Sequence, residues 1–253
     1  MLIDTHCHLD TAEFDTDRDA VHAAALAAGV ERIVVPAVTV DSFRKVKTSV
    51  ERYPGCVAAY GIHPLCLMQA RESDLAVLRD WLERERPVAV GEIGLDFHVT
   101  DSDPALQEFY FVEQLKLARE FDLPVLLHVR RAIDRILMHL RRIRVPGGIA
   151  HAFNGSRQQA DEFIRLGFKL GFGGAMTFPG STRIRRLAAE LPLAAIVLET
   201  DAPDIPPAWL GGGRNSPAEL PRIASVLADL RALPEDEVAA RCAAAARAVL
   251  PRL

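Results

Sequence analysis

Eight short apolar runs, rich in Val, Ile and Leu, recur along the chain. Each has the length and composition of a strand buried on both faces. They cover Leu2–Thr5, Arg32–Val38, Cys56–Ile62, Val88–Ile93, Val125–Val129, Gly148–Ala152, Lys169–Phe172 and Ile196–Glu199. Helical patterning fills the intervals, as in Asp17–Ala28, Leu75–Glu85, Gln107–Glu120 and Arg157–Leu166. Pro87 and Pro124 mark helix-to-strand turns, because proline disfavours helix in the residue before it. The alternation predicts one α/β domain over residues 1–253, a TIM (β/α)8 barrel with right-handed crossovers. A doubly wound open sheet is the rival, but it does not bring the ends of five separated strands to one point. Pro217–Leu253 reads as alanine-rich helix that closes the barrel. The loop Ala202–Pro217, rich in Pro and Gly, is expected to line the substrate.

Composition narrows the class. A length of 253 residues and 49% hydrophobic content suit one enzyme domain with a large core. A net charge of −4 gives no broad basic field, so no long duplex nucleic acid is expected along the surface. No run is long enough to span a bilayer, so no membrane partner is expected. The first strand begins almost at the N-terminus, without a basic segment and apolar core before it. No secretory leader is expected, and the chain is read as cytoplasmic. Cys7, Cys56, Cys66 and Cys242 are scattered, as reduced thiols would be. Nothing in the sequence specifies an oligomeric partner.

The polar residues that end the apolar runs point to chemistry. His6 and His8 close the first run, Glu92 the fourth, His128 the fifth, His151 the sixth and Asp201 the eighth. All six leave strands in one direction, so they converge at the C-terminal mouth of a barrel. His6 and His8 are two apart and face one side, while Cys7 between them faces away. A buried carboxylate at Glu92 is costly unless paired or metal-bound, and Gly91 and Gly94 allow close approach around it. Between two divalent ions it would hold them about 3.5–4 Å apart. His128 and His151 supply neutral nitrogen donors. Asp201 lies two residues past Glu199, so alternation points both into the mouth. Asp201 is suited to ligate an ion and to take a proton from the attacking water. Arg130, two residues beyond His128, and Arg214, in the last long loop, are candidate phosphate contacts. Phe97 and His98 offer a stacking surface for a base. The basic runs Arg141–Arg144 and Arg183–Arg186 read as solvated helix faces, and His22 and His139 as helix residues rather than ligands.

The full set of motifs resembles the TatD family of metal-dependent hydrolases, a branch of the amidohydrolase-like barrels. It comprises D-T-H-C-H-L-D at Asp4–Asp10, G-I-H-P at Gly61–Pro64, G-E-I-G-L-D at Gly91–Asp96 and H-V-R at His128–Arg130. H-A-F-N-G at His151–Gly155, E-T-D-A-P at Glu199–Pro203 and R-N-S-P at Arg214–Pro217 complete it. The resemblance implies one ion held by His6, His8, Glu92 and Asp201, and a second held by Glu92, His128 and His151. It also implies an active-site role for His63, as a substrate or phosphate contact. Two departures stand out. Phe97-His98 follows G-L-D where tyrosine is commoner, and R-C-A-A-A-A-R lacks an asparagine that many relatives carry.

The expected activity is therefore that of a two-metal phosphodiesterase, a DNase that trims single-stranded DNA or RNA from an end. Glu92 and Asp201 would be its catalytic carboxylates, with Zn, Mn or Mg as the ions. Hydrolysis of a carbonyl centre, such as an amide, a lactone or an aminoacyl-tRNA ester, suits the same residues. A barrel kept only as an interaction module would have lost ligands, and none is lost.

Overall fold

The computed structural model describes residues 1–100 and 102–253. Eight parallel strands pair in chain order. They are β1 (Leu2–Asp4), β2 (Val30–Pro36), β3 (Cys56–Tyr60), β4 (Ala89–Asp96), β5 (Val125–Arg130), β6 (Gly148–Ala150), β7 (Phe168–Phe172) and β8 (Ile196–Leu198). Helices surround them: α1 (Arg18–Ala27), α2 (Phe43–Arg52), α3 (Ser73–Glu85), α4 (Pro104–Glu120), α5 (Ile133–Arg142), α6 (Arg157–Arg165), α7 (Thr182–Glu190), α8 (Leu220–Arg231) and α9 (Glu235–Val249). This is the nearly closed TIM barrel that the alternation predicts. Its β1–β8 seam is fastened by Thr5, whose amide and hydroxyl both donate to the Leu198 carbonyl, at 3.1 and 3.0 Å. Asp4 joins the same seam by accepting from the Thr200 amide at 2.9 Å and its hydroxyl at 2.5 Å.

Side chains on the two faces of each strand bury in different cores. Outward residues such as Ile33, Leu127 and Leu198 pack against the helices. Inward residues Ile3, Val34, Leu126, Ile149 and Val197 pack inside the barrel against Ala243, Ala246 and Val249 of α9. Each such fully buried aliphatic side chain contributes about 1.5–3 kcal/mol. The C-terminal helical stretch is thus two helices. Ala232, in the left-handed region (φ 51), ends α8, Pro234 precedes α9, and α9 plugs the floor. The floor sets the height of the chemistry. His128, His151 and Glu199 stand two residues beyond Leu126, Ile149 and Val197 on the same inward rows.

The chain holds the mouth of the barrel rigid with two buried glutamines seven residues apart on α4. Gln107 accepts from the Asp96 amide at 2.7 Å and donates to its carbonyl at 2.9 Å. Gln114 does the same to Ile62, at 2.7 and 3.0 Å. One helix therefore fixes the ends of β3 and β4, next to His63 and Glu92. β4 runs three residues past its expected end, to Asp96. Its register on β5 shifts between Val90 and Ile93, then places Gly94 beside His128. Gly94 has φ +152, and a Cβ there would lie 2.0 Å from the His128 carbonyl oxygen, so only glycine fits. No helix among the described residues is long and apolar enough to cross a membrane.

Candidate metal centre

Glu92, 2% exposed, divides its carboxylate between two sets of nitrogens. Oε2 faces His6 Nε2 at 3.3 Å and His8 Nε2 at 3.5 Å. Oε1 faces His151 Nε2 at 2.9 Å, His128 Nδ1 at 3.1 Å and His63 Nε2 at 3.5 Å. Asp201 Oδ1 closes the first set, 3.6 Å from His6 Nε2 and 3.7 Å from His8 Nε2. The six residues expected to meet do meet, and His63 stands beside them.

The donor set fits cations. Three groups have ligand atoms within 4.8 Å of one another: His6–Glu92–His151, His6–His8–Asp201 and His63–Glu92–His128. His6 Nε2 and His8 Nε2 lie 3.3 Å apart, and two neutral acceptors at that distance need a proton or a cation between them. Buried His6 Nδ1 and His151 Nδ1 have no hydrogen-bond partner. Burial pushes Glu92 up, but the His63, His151 and His6 rings outweigh it and hold the carboxyl well below its ordinary range. Burial lowers His6 to about 3, helped by His151 stacked 4.1 Å away. It pulls the same way on His8 and His151. There the Glu92 hydrogen bond raises His8 to about 9, and the Glu92 and Asp201 charges raise His151 to about 10. The carboxylates thus draw positive charge to this spot, and a divalent ion supplies it with better geometry than scattered protons.

Two neighbours refine the set. His63 Nδ1 accepts from the Leu65 amide at 3.1 Å, and burial keeps the ring neutral by lowering it. Nε2 must then carry the hydrogen, so His63 is built to donate, not to ligate. Asp96 is a partner that the sequence reading missed. Its Oδ2 lies 3.0 Å from His128 Nε2, while its Oδ1 accepts from the His98 and Val99 amides at 2.8 and 3.3 Å. Its only sequence signal is its place in G-E-I-G-L-D.

Three expectations need correction. β8 stops at Leu198 and Asp201 sits at φ 58, so strand alternation does not carry from Glu199 to Asp201. Glu199 lies beneath, against Gly171, with Oε1 accepting from the Ala152 amide at 2.5 Å; burial raises it to about 8. Arg214 is not over the centre. Its guanidinium makes two bonds to Asp17, at 3.0 and 2.5 Å, and lies 4.8 Å from the Phe14 ring centroid. Phe97 packs on the outer core rather than lining the cleft, because the longer β4 carries it back against the helices. Cys7 is buried in the outer core, facing away from the histidines as expected.

The centre opens into a cleft of about 630 Å³. Arg130 lines its rim and makes no ion pair among the described residues. Arg183, read as solvated, donates twice to Asn154 Oδ1 at 3.0 and 2.7 Å, and Asn154 Nδ2 on the cleft wall makes no hydrogen bond among the described residues. Four acids line the same cleft, Glu13, Glu92, Asp201 and Asp204, and Arg130 is the one arginine or lysine beside them among the described residues. Bound cations would offset these acids for an anionic substrate.

The profile of the family described as TatD related DNase matches residues 3–251. A protein named as the uncharacterized metal-dependent hydrolase YjjV, from Escherichia coli K12, is 45% identical over 94% of this chain and 93% of its own. The crystal structure of that TatD homolog superposes with a TM-score of 0.95 at 42% identity, covering 99% of this chain and 98% of the other. A protein named 3'-5' ssDNA/RNA exonuclease TatD, from Cronobacter sakazakii, is 35% identical over 91% of this chain and 90% of its own. With its strand-end carboxylates and histidines gathered at one mouth and its whole length matched, the chain belongs to the TatD-related DNase family of metal-dependent hydrolases.

Proposed function

We propose that this protein is a two-metal phosphodiesterase that trims single-stranded DNA or RNA from an end. The observation that carries the reading is the division of Glu92, whose two oxygens face two separate nitrogen sets at the floor of a cleft. His6, His8, Glu92 and Asp201 would hold one divalent ion, and Glu92, His128 and His151 the other. Bound there, the ions would acidify a water and stabilise charge on the phosphoryl oxygens. The Asp201 carboxylate would accept the proton of the attacking water. His63 Nε2–H donates to a phosphoryl oxygen, and Arg130 holds a phosphate at the rim. The exonuclease name of one relative supports a nucleic-acid substrate. The cleft volume is that of a site for a small ligand, enough for a terminal nucleotide or two and too small for a duplex.

Digestion of end-labelled strands tests this. Linear single strands should release mononucleotides from one end, and covalently closed circles should persist. Circles cut as fast as linear strands would refute end-threading. Failure to cut any nucleic acid, with turnover of an amide, lactone or aminoacyl ester instead, would assign the same residues to a carbonyl centre.

A further inference from the structure

We propose that a second phosphate-binding pocket lies outside the barrel, between α1 and α2, and shares a wall with the metal cleft. The pocket has a volume of about 350 Å³ and is lined by Arg18, Arg44, Lys45, Thr48, Ser49, Arg52 and Tyr53. Every one of these side chains carries a hydrogen-bond donor, and none is acidic or aliphatic. Four are cations in a protein of net charge −4. Their counter-ions do not match them. Asp15 serves both Arg18 at 2.5 Å and Lys45 at 3.2 Å, Asp19 serves Arg52 at 2.6 Å, and Arg44 makes no ion pair among the described residues. Two cations remain in surplus within a concavity, where low-dielectric walls strengthen their field.

The wall shared with the cleft is specific. Arg18, on the pocket side, donates to the carbonyls of Leu9 at 2.7 Å, Asp10 at 3.1 Å and Thr11 at 2.7 Å. Thr11 lines the cleft, and its hydroxyl donates to the His8 carbonyl at 3.0 Å. One arginine therefore spans the segment between a candidate metal ligand and the basic pocket. Arg44 and Lys45 stand in the first turn of α2, at the same C-terminal face of the barrel as the cleft. A phosphate ester fits this chemistry, from either of two sources. An internal phosphodiester of the strand whose end lies in the cleft would reach it, a source that rests on the nuclease proposal. A separate phosphate anion would bind by the same donors.

The test is the variant Arg44→Glu/Lys45→Glu, at two exposed positions, with Arg141→Glu/Arg142→Glu on α5, the same change in net charge, as a control. Thermal melting first establishes that each folds. Binding of a phosphorothioate single strand of about twenty nucleotides to metal-loaded protein should weaken about tenfold in the double variant, with its log–log salt slope smaller by about 1.4, as expected for two lost contacts on a single strand. Binding of a dinucleotide, which fills only the cleft, should not change. Alternatively, an unchanged long strand together with lost binding of inorganic phosphate assigns the pocket to a free anion. Unchanged affinity for both the long strand and inorganic phosphate overturns the pocket, as does equal weakening of strand and dinucleotide, which would place the effect in the cleft. Wild-type protein that binds the strand through these residues yet cuts no nucleic acid would refute the nuclease reading and leave the pocket standing.

Discussion

Asp96 turns His128. Its carboxylate lies 3.0 Å from Nε2, which leaves Nδ1 as the nitrogen facing Glu92 at 3.1 Å. Burial pushes Asp96 up, but His128 and two backbone amides outweigh it and hold the carboxyl at about 2, so Asp96 accepts and Nε2 donates. A carboxylate behind a ligating imidazole fixes both its tautomer and its orientation. Asp96→Asn keeps the size and loses that certainty. Affinity for the second ion should fall roughly 10–100-fold, with turnover restored by excess metal. Metal titration reads this directly, and unchanged affinity would remove Asp96 from the site.

Asp201→Asn should abolish turnover while largely sparing substrate binding. The swap preserves shape and removes the proton acceptor and one negative charge. A loss on the order of 100-fold or more in kcat is expected for a missing general base. A near-normal rate would mean that the proton goes elsewhere.

Loaded protein should contain two ions per chain by elemental analysis, and Glu92→Gln should hold fewer. Each Glu92 oxygen serves a different nitrogen set, so the neutral amide weakens both sites together. Wild-type protein saturating at one ion would end the two-metal reading. Chelation removes positive charge beside Glu92 and Asp201 that protons on His8 and His151 replace only in part, so it should weaken binding of anionic substrate as well as turnover.

Metal uptake should release protons. His8 at about 9 and His151 at about 10 stand above their ordinary 6.5, so at neutral pH an arriving cation displaces protons from them. Apparent affinity should rise up to about tenfold per pH unit for each proton displaced, until about pH 9. Stability of chelator-stripped protein should run the other way. Raised histidines contribute fully below 6.5, and the contribution is lost as pH rises through about 9 to 10. Depressed Glu92 contributes above its ordinary 4.5 and loses that as pH falls. Melting temperature of stripped protein should therefore drop above about pH 8 more than that of loaded protein. Parallel curves would contradict the assignment.

Arg130→Ala and Arg214→Ala should behave differently. Arg130, which makes no ion pair among the described residues at the cleft rim, should raise KM for phosphodiesters when removed and flatten its salt dependence. Arg214 is committed to Asp17 and Phe14, so its loss should lower the melting temperature and leave KM unchanged. Steady-state kinetics beside a thermal melt separates the two.

Much of this was legible in the chain. Apolar runs that end in His6, His8, Glu92, His128, His151 and Asp201 specify parallel strands and the direction in which their ends face, because side-chain period and backbone direction are local properties. The barrel, its residue order and the six convergent side chains follow from that. Tertiary structure decided the rest. Which Glu92 oxygen meets which ring depends on how β4 shifts its register against β5, a contact between residues 36 apart in the chain. The tautomers of His63 and His128 depend on Leu65 and Asp96, which no periodicity marks. Arg214 was drawn to Asp17, nearly two hundred residues away, because a charged fork goes to the nearest acid that closure brings up. Asp201 lies past the end of β8, where φ 58 breaks the alternation that sequence reasoning extends. A strand's pattern fixes its own faces. Only the closed barrel fixes which faces meet, because those distances are set by packing between strands rather than along them.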